Sequence, residues 1–321
     1  MDVVIAMAAY IVRRLMQAVI VLFIVSLIVF SFLHIMPGDP VLFMLGTTAP
    51  SQEVIDALRK ELWLDRPLVV QYGHWLSNCI QGDFGKSILY NEEVTSILAR
   101  RVPITIHIGL LSFILANLLG VLAGIICAVR RGKILDSVIS TIANIGLAIP
   151  SFWLGILGIY LFSLKLGLLP VQGYTSPFSD FWLNTRQLIM PVFCLAIVSV
   201  AAIARQTRSA MLEVIRQDYI RTAWAKGFTE RKIIIKHVLK NGLIPVATLS
   251  GMQLGVLIGG TVLIETVFNI PGMGRLIASS VMSRDYIVVQ ACALVIGVSV
   301  VLINLAVDIF YGWLDPRIRY D

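Results

Sequence analysis

The sequence predicts an all-α integral membrane fold with six spanning helices, and three observations predict it. The 321 residues are 58% hydrophobic and only 14% charged, where a soluble domain carries about 25% charged residues. The mean hydropathy is +0.86. The apolar residues fall into uncharged windows long enough to cross about 30 Å of hydrocarbon, which takes about 20 helical residues. These windows are continuous and do not alternate with period two, so they read as helices rather than barrel strands.

In chain order the windows are Leu15–Leu33, Val102–Val129, Ser137–Leu164, Gln187–Ala204, Asn241–Ile264 and Tyr286–Val307. The first follows Arg13 and Arg14 but is too long for a signal peptide and lacks a small-residue cleavage site, so it is expected to stay as a helix. Pro150, in "GLAIPSFWLG", should kink the third. The fourth is the shortest and begins near Pro191. In the fifth, Gly251, Gly255 and Gly259 fall four apart on one helical face, where small residues let another backbone approach. Packing within the chain and a seam against a second subunit both fit that stripe.

Lys and Arg set the orientation. With the N-terminus inside, the inner segments hold 2, 3, 9 and 2 basic residues and the outer ones 6, 2 and 2. The net charge is then +8 inside and −1 outside, within an overall +7. The basic balance describes topology, not a nucleic-acid surface, since no basic stripe is interleaved with aromatics. Three units are expected: an N-terminal helix (1–34), an extracytoplasmic segment (35–101) and a five-helix core (102–321) with a cytoplasmic loop at 205–240. The outer segment opens with "MPGDP" and contains a helical stretch, Ser51–Leu62. A second outer segment, "ETVFNIPGMGRL", is a turn-rich return into the last helix.

Motifs for chemistry are sparse. "GDFGKS", Gly82–Ser87, resembles half a phosphate loop, but Ile80 stands where the first glycine belongs and no strand precedes it. HExxH and GxSxG do not occur. Cys79, Cys127, Cys194 and Cys292 form no CxxC and are expected to pack, without disulfide or metal. Polar residues inside spans are pathway candidates by default: His107, Asn144, Gln253 and Asn304. Each also fits an ordinary interhelical hydrogen bond. No chain of buried acids suggests a proton relay, and Glu265 is placed at a membrane edge, so energy for transport would come from elsewhere.

The most informative segment is "DYIRTAWAKGFTERKIIIKHVLKNGLIP", from Asp218 to Pro245. Asp218 can cap a short helix, Tyr219–Lys226, ended by Gly227 in the left-handed conformation. Thr229 can cap a second helix, beginning with Glu230 and ending near Lys240. Tyr219/Ala223 and Ile220/Trp224 pair four apart. From the residues alone, a basic loop held at lipid headgroups fits as well as a docking element.

"RTAWAKG" resembles the EAA loop of ABC-importer permeases. Ala223, Gly227 and Leu239 match the general pattern, while Arg221 and Thr222 stand at its E and A positions. "DYIRTAxAKG", "HxLxNxxxP", "MPGDP", "GDFGKS", "ARQTRSAMLEV", "ETVFNIPGMGR", "RDYIVVQA" and "NLAVDIFYGWLDPRIR" are similar to the dipeptide/oligopeptide/nickel branch, in order along nearly the whole chain. The resemblance implies a type I ABC-importer permease fold in a bacterial or archaeal plasma membrane, with both termini cytoplasmic. It implies no catalytic, cofactor or metal site on this chain, with ATP and Mg held by partner subunits. The partners it implies are a second homologous permease, two cytosolic ATPase subunits, an extracytoplasmic solute-binding protein and membrane lipid, with no nucleic acid. Tyr219, Ile220, Arg221, Thr222, Ala223, Trp224, Lys226 and Gly227 would then contact an ATPase. Di- or oligopeptide, glutathione and nickel-chelate cargoes all fit that branch. A stand-alone channel or secondary transporter, or a membrane-embedded enzyme, is the reading from a different class.

Overall fold

A computed structural model of the chain describes residues 2–35, 51–61 and 63–314. "MPGDP" and the end of "NLAVDIFYGWLDPRIR" lie outside the described residues. The fold is helical: α1 (Asp2–Ile35), α2 (Gln52–Glu61), α3 (Leu68–Ile80), α4 (Val94–Val129), α5 (Ile134–Ala148), α6 (Ser151–Gly158, running on as a π-helix over Ile159–Lys165), α7 (Phe181–Ile215), α8 (Asp218–Ala225), α9 (Glu230–Gly242, with a π segment at Ile234–Val238), α10 (Ile244–Val267), α11 (Met273–Met282) and α12 (Tyr286–Leu314).

Four stretches are each long and apolar enough to cross a membrane: Ala9–Phe32, Val94–Val129, Phe181–Ile215 and Tyr286–Phe310. Two bent pairs bring the total to six if each is one span: α5 with α6 at 98°, and α9 with the first half of α10 at 51°. The fourth expected window, the shortest in the sequence, lies in a 35-residue helix that passes through Pro191 without a break. At Pro150 the expectation was too mild. The chain turns nearly at right angles there, leaving two limbs of 15 residues, each about 22 Å long and shorter than the hydrocarbon layer. Proline cannot complete the hydrogen-bonding ladder, and it forces Ile149 into an extended conformation (φ −89°, ψ 126°).

The core is built on α4 against α7. Gly120 and Gly124, four apart on α4, set their distance. A Cβ on Gly120 would come within 2.7 Å of the Ile203 Cβ, and one on Gly124 within 2.6 Å of the Ala204 carbonyl oxygen. This is the small-residue packing expected where helices cannot be driven together by water, but it lies on a different helix from the stripe singled out in the sequence. In that stripe, a Cβ on Gly251 would overlap Val307, and one on Gly255 would lie 3.6 Å from the Asn304 Oδ1. Both glycines therefore pack within the chain, against α12, which is the first of the two readings that the stripe allowed. Gly259 meets nothing within 4 Å.

α1 runs antiparallel to α12. Arg14 pairs with Asp308 at 3.2 Å at one end, and at the other Gln290 donates to the Val29 carbonyl. The far end of α1 clasps α3: Ser26 and Tyr72 share a hydrogen bond of 2.8 Å, and His34 reaches Gln71 at 3.0 Å. Cys79 in α3 is a free thiol, and burial, reinforced by Asp83, pushes it up to about 11, so it stays protonated at neutral pH.

Candidate functional site

The segment from α8 to α9 folds as the predicted helix, glycine turn and helix. Gly227 has φ +76°, in the region open to glycine and strained for other residues. Its N–H donates to the Trp224 carbonyl and that of Phe228 to the Ala223 carbonyl, closing the end of α8. The caps differ from expectation. Gln217 precedes the first turn and Asp218 is its first residue, paired with Arg221 at 3.4 Å. Thr229 occupies the cap position of α9 without a side-chain bond, and Lys226 stands just past the end of α8.

Which side chains face out is decided by packing. Ile220 is fully buried and Ala223 nearly so, in a cluster with Ala128 of α4, Met211 of α7, and Ile233 and Val238 of α9. Tyr219 (44% exposed), Trp224 (49%), Arg221, Thr222 and Lys226 face outward. The expectation that Ile220 and Ala223 touch a partner is therefore corrected: they are consumed in rooting the elbow. In this eight-residue helix the third and sixth positions, Ile220 and Ala223, lie three apart and share the inner face, and the hydrophobic pairs split between inside and outside. Tyr219 also accepts from Asn241 at 2.8 Å, closing the elbow across its two limbs.

The elbow is thus bonded to three long helices. Met211 lies against Gly242, and α9 runs into α10 after one residue. Outside the elbow, an ionic tie joins α5 to α7. Asp136, at the start of α5, takes a two-pronged bond from Arg208 of α7 (2.9 Å each) and one from the Gly132 N–H. Neither partner was singled out in the sequence. The short loop "RRGKILD" carries an acid after three bases, the one cue available. Asp136→Ala is expected to lower stability in detergent by about 1–2 kcal/mol, because a charge-assisted pair and a backbone donor lose their acceptor. A thermal melt of the purified chain reads this directly.

The pathway candidates are dispersed. His107 pairs with the Tyr174 hydroxyl at 3.1 Å. Asn144 and Asn304 are exposed, and Gln253 is half-buried. The hydrogen bonds that join helices here run instead between Ser250 and Asn117, and between Thr105 and Glu265.

Glu265 is the larger surprise. It lies in the last turn of α10 and is completely buried within the chain. Its carboxylate accepts from the Thr105 hydroxyl (2.6 Å), the Arg275 N–H (2.9 Å), the Gly274 N–H and the Thr261 hydroxyl. Thr105 in turn accepts from the Met273 N–H at 2.8 Å. The acid therefore seats in the first turn of α11, where unpaired N–H groups favour negative charge. "PGMG" leaves room for it: a Cβ on Gly272 would overlap the carboxylate, and one on Gly274 would come within 3.0 Å of it. A lone acid closing an apolar run just before paired glycines was the available signal.

A second junction joins two motifs far apart in sequence. Ser87 of "GDFGKS" donates to Asp285 of "RDYIVVQA" at 2.5 Å, and the Leu89 N–H donates to the same carboxylate. "GDFGKS" is thus a strut on the start of α12. Among the described residues, no three His, Cys, Asp or Glu side chains gather in a metal-holding group.

Residues 120–320 match the profile of the binding-protein-dependent transport system inner membrane component, and residues 7–109 that of its N-terminal region. The chain belongs to this family. It is 43% identical over 318 residues to a peptide transport system permease protein of Brucella abortus (strain 2308), covering 98% of this chain and 100% of the relative. It is 42% identical over 314 residues to the glutathione transport system permease protein GsiC of Escherichia coli (strain K12), with the same coverage. Among solved structures, the inward-facing MetNI methionine ABC transporter matches with a TM-score of 0.57 and 22% identity, covering 68% of this chain and 96% of that one. That likeness concerns fold: this is a multi-pass membrane permease with the helical architecture of ABC importers.

Proposed function

We propose that this permease forms half of the translocation pathway for short peptides, handed over by an extracytoplasmic binding protein and driven by two cytosolic ATPase subunits. A second, similar permease completes the pathway, both termini lie in the cytoplasm, and ATP and Mg bind to the partners. The chain itself carries no catalytic group. The observation that carries this reading is the elbow's division of labour, with Ile220 and Ala223 gripped by α4, α7 and α9 while the rings of Tyr219 and Trp224 stay half exposed on the outer face. A short element anchored on one face and aromatic on the other can take a push and pass it to the helices that root it. Nucleotide-driven closure of the ATPases would then bias two states of the helix bundle.

Peptide is favoured as cargo because relatives over the full length are named for peptide and for glutathione, itself a tripeptide. Uptake into vesicles of labelled dipeptide against labelled glutathione, with the cognate binding protein, separates the two. For the coupling role, Tyr219→Ala with Trp224→Ala is expected to cut uptake at least tenfold, since a buried aromatic anchor contributes about 2 kcal/mol or more to an interface. The ATPase should no longer co-purify, while the chain's thermal midpoint falls only slightly, because both rings are half exposed and the Asn241–Tyr219 bond that is lost is exposed too. Unchanged uptake and co-purification would count against ATPase docking and favour a stand-alone transporter.

A further inference from the structure

The second limb of the elbow carries an exposed basic row. Arg231, Lys232, Ile235, Lys236 and Lys240 are all exposed on α9, and Ile235 is 56% exposed. Lys232, Lys236 and Lys240 follow one another at four-residue steps, which places them in a row on one side of a helix. Glu230, at the start of the limb, is its one acid. Lys232 is steadied by the Phe228 ring, 4.4 Å from its centroid.

The depth of this row matters. Lys240 lies four residues before Ile244, where α10 begins. Lys232 is eight residues further out, about 12 Å along the axis at 1.5 Å per residue. α9 leaves α10 at 51°. With α10 along the membrane normal, the row descends only about 8 Å from Lys240 to Lys232, within the Debye length of about 10 Å at 0.1 M salt. Flexible lysine side chains with apolar stems can close much of that gap.

We infer that the Lys232–Lys236–Lys240 row, with Ile235 beside it, is a docking surface for anionic phospholipid headgroups, and that this contact sets the resting angle of the elbow. The argument is charge complementarity at the right depth. The row is basic, close to the membrane surface, and carries an exposed aliphatic side chain suited to the headgroup boundary. It also lies on a different limb from the aromatic pair of α8. The two readings of the segment thus apply to different halves of it: α8 offers a surface to protein, α9 to lipid.

Two readouts test this. The first is lipid selectivity of the purified chain, measured with a spin-labelled phosphatidylglycerol against spin-labelled phosphatidylcholine. A basic side chain near an anionic surface contributes on the order of a fivefold preference, so the triple variant Lys232→Gln, Lys236→Gln, Lys240→Gln should lose most of the selectivity. Raising salt to 0.5 M should mimic the variant. The second rests on the proposed function: binding-protein-stimulated ATP hydrolysis by the assembled complex, in vesicles of phosphatidylcholine alone or with one quarter phosphatidylglycerol. The wild type should gain severalfold from the anionic lipid, and the triple variant should not, while matching the wild type in neutral vesicles. Equal selectivity in wild type and variant overturns the inference. So does a variant slowed equally in both vesicles, which would assign the lysines to the ATPase. A complex without stimulated hydrolysis, yet with lysine-dependent lipid selectivity, would sink the importer reading and leave the lipid surface standing.

Discussion

Gly227→Pro is expected to abolish uptake while the chain still inserts into the membrane in normal amount. The glycine has φ +76°, whereas proline is locked near −65°. Proline also lacks the N–H that bonds to the Trp224 carbonyl at 2.9 Å. The turn between α8 and α9 cannot form, at a local cost of about 3 kcal/mol or more. That cost falls outside the hydrocarbon core, so insertion and the α4–α7 contact are spared. Gly227→Ala separates the causes. No atom lies within 4 Å of an added Cβ, so alanine meets only the left-handed backbone penalty, about 1–2 kcal/mol. Partial uptake is expected for alanine and none for proline, at matched expression by immunoblot. Normal uptake with proline would show that the turn geometry is irrelevant to transport.

Glu265→Leu is expected to destabilise the junction of α4, α10 and α11. Leucine is close in size but accepts nothing, so two threonine hydroxyls and the N–H groups of Gly274 and Arg275 lose a buried partner together. An unsatisfied buried donor costs about 1–3 kcal/mol each, and the summed loss is on the order of 5 kcal/mol. α11 would detach from α4, because Thr105 spans the carboxylate and the Met273 N–H. The chain should be recovered at low yield, with a sharply lower melting midpoint by fluorescence-detected size exclusion after heating. Glu265→Gln, which keeps one carbonyl oxygen, should fall between. A leucine variant that melts like the wild type would refute the seat.

The class of fold, the span windows and the glycine-turned elbow were legible because each rests on local chemistry. Hydropathy over 20 residues reflects the solvent, and Gly227 between two polar, helix-forming stretches reflects a backbone that only glycine fits. The elbow's position between α7 and α10 was legible for the same reason. The junctions were not. Thr105 and Glu265 are 160 residues apart, and Ser87 and Asp285 are 198 apart. No periodicity links residues at such distances. The two glycine stripes make the same point. Gly120/Gly124 and Gly251/Gly255 have one spacing, yet the first sets the closest approach of the central helix pair, α4 against α7, and the second packs on α12.

Residue type and order therefore determined the environment of this chain, since the membrane acts on every segment independently and leaves its mark in hydropathy and charge. They determined the elbow's glycine turn as well, since a turn is closed by near neighbours. Only the three-dimensional packing decided that Ile220 and Ala223 are anchors while Tyr219 and Trp224 stay half exposed, that Glu265 is a buried keystone, and that Pro150 breaks a helix instead of bending it. Those outcomes depend on which surfaces meet across the bundle. That is a property of the whole chain's arrangement, and no local window contains it.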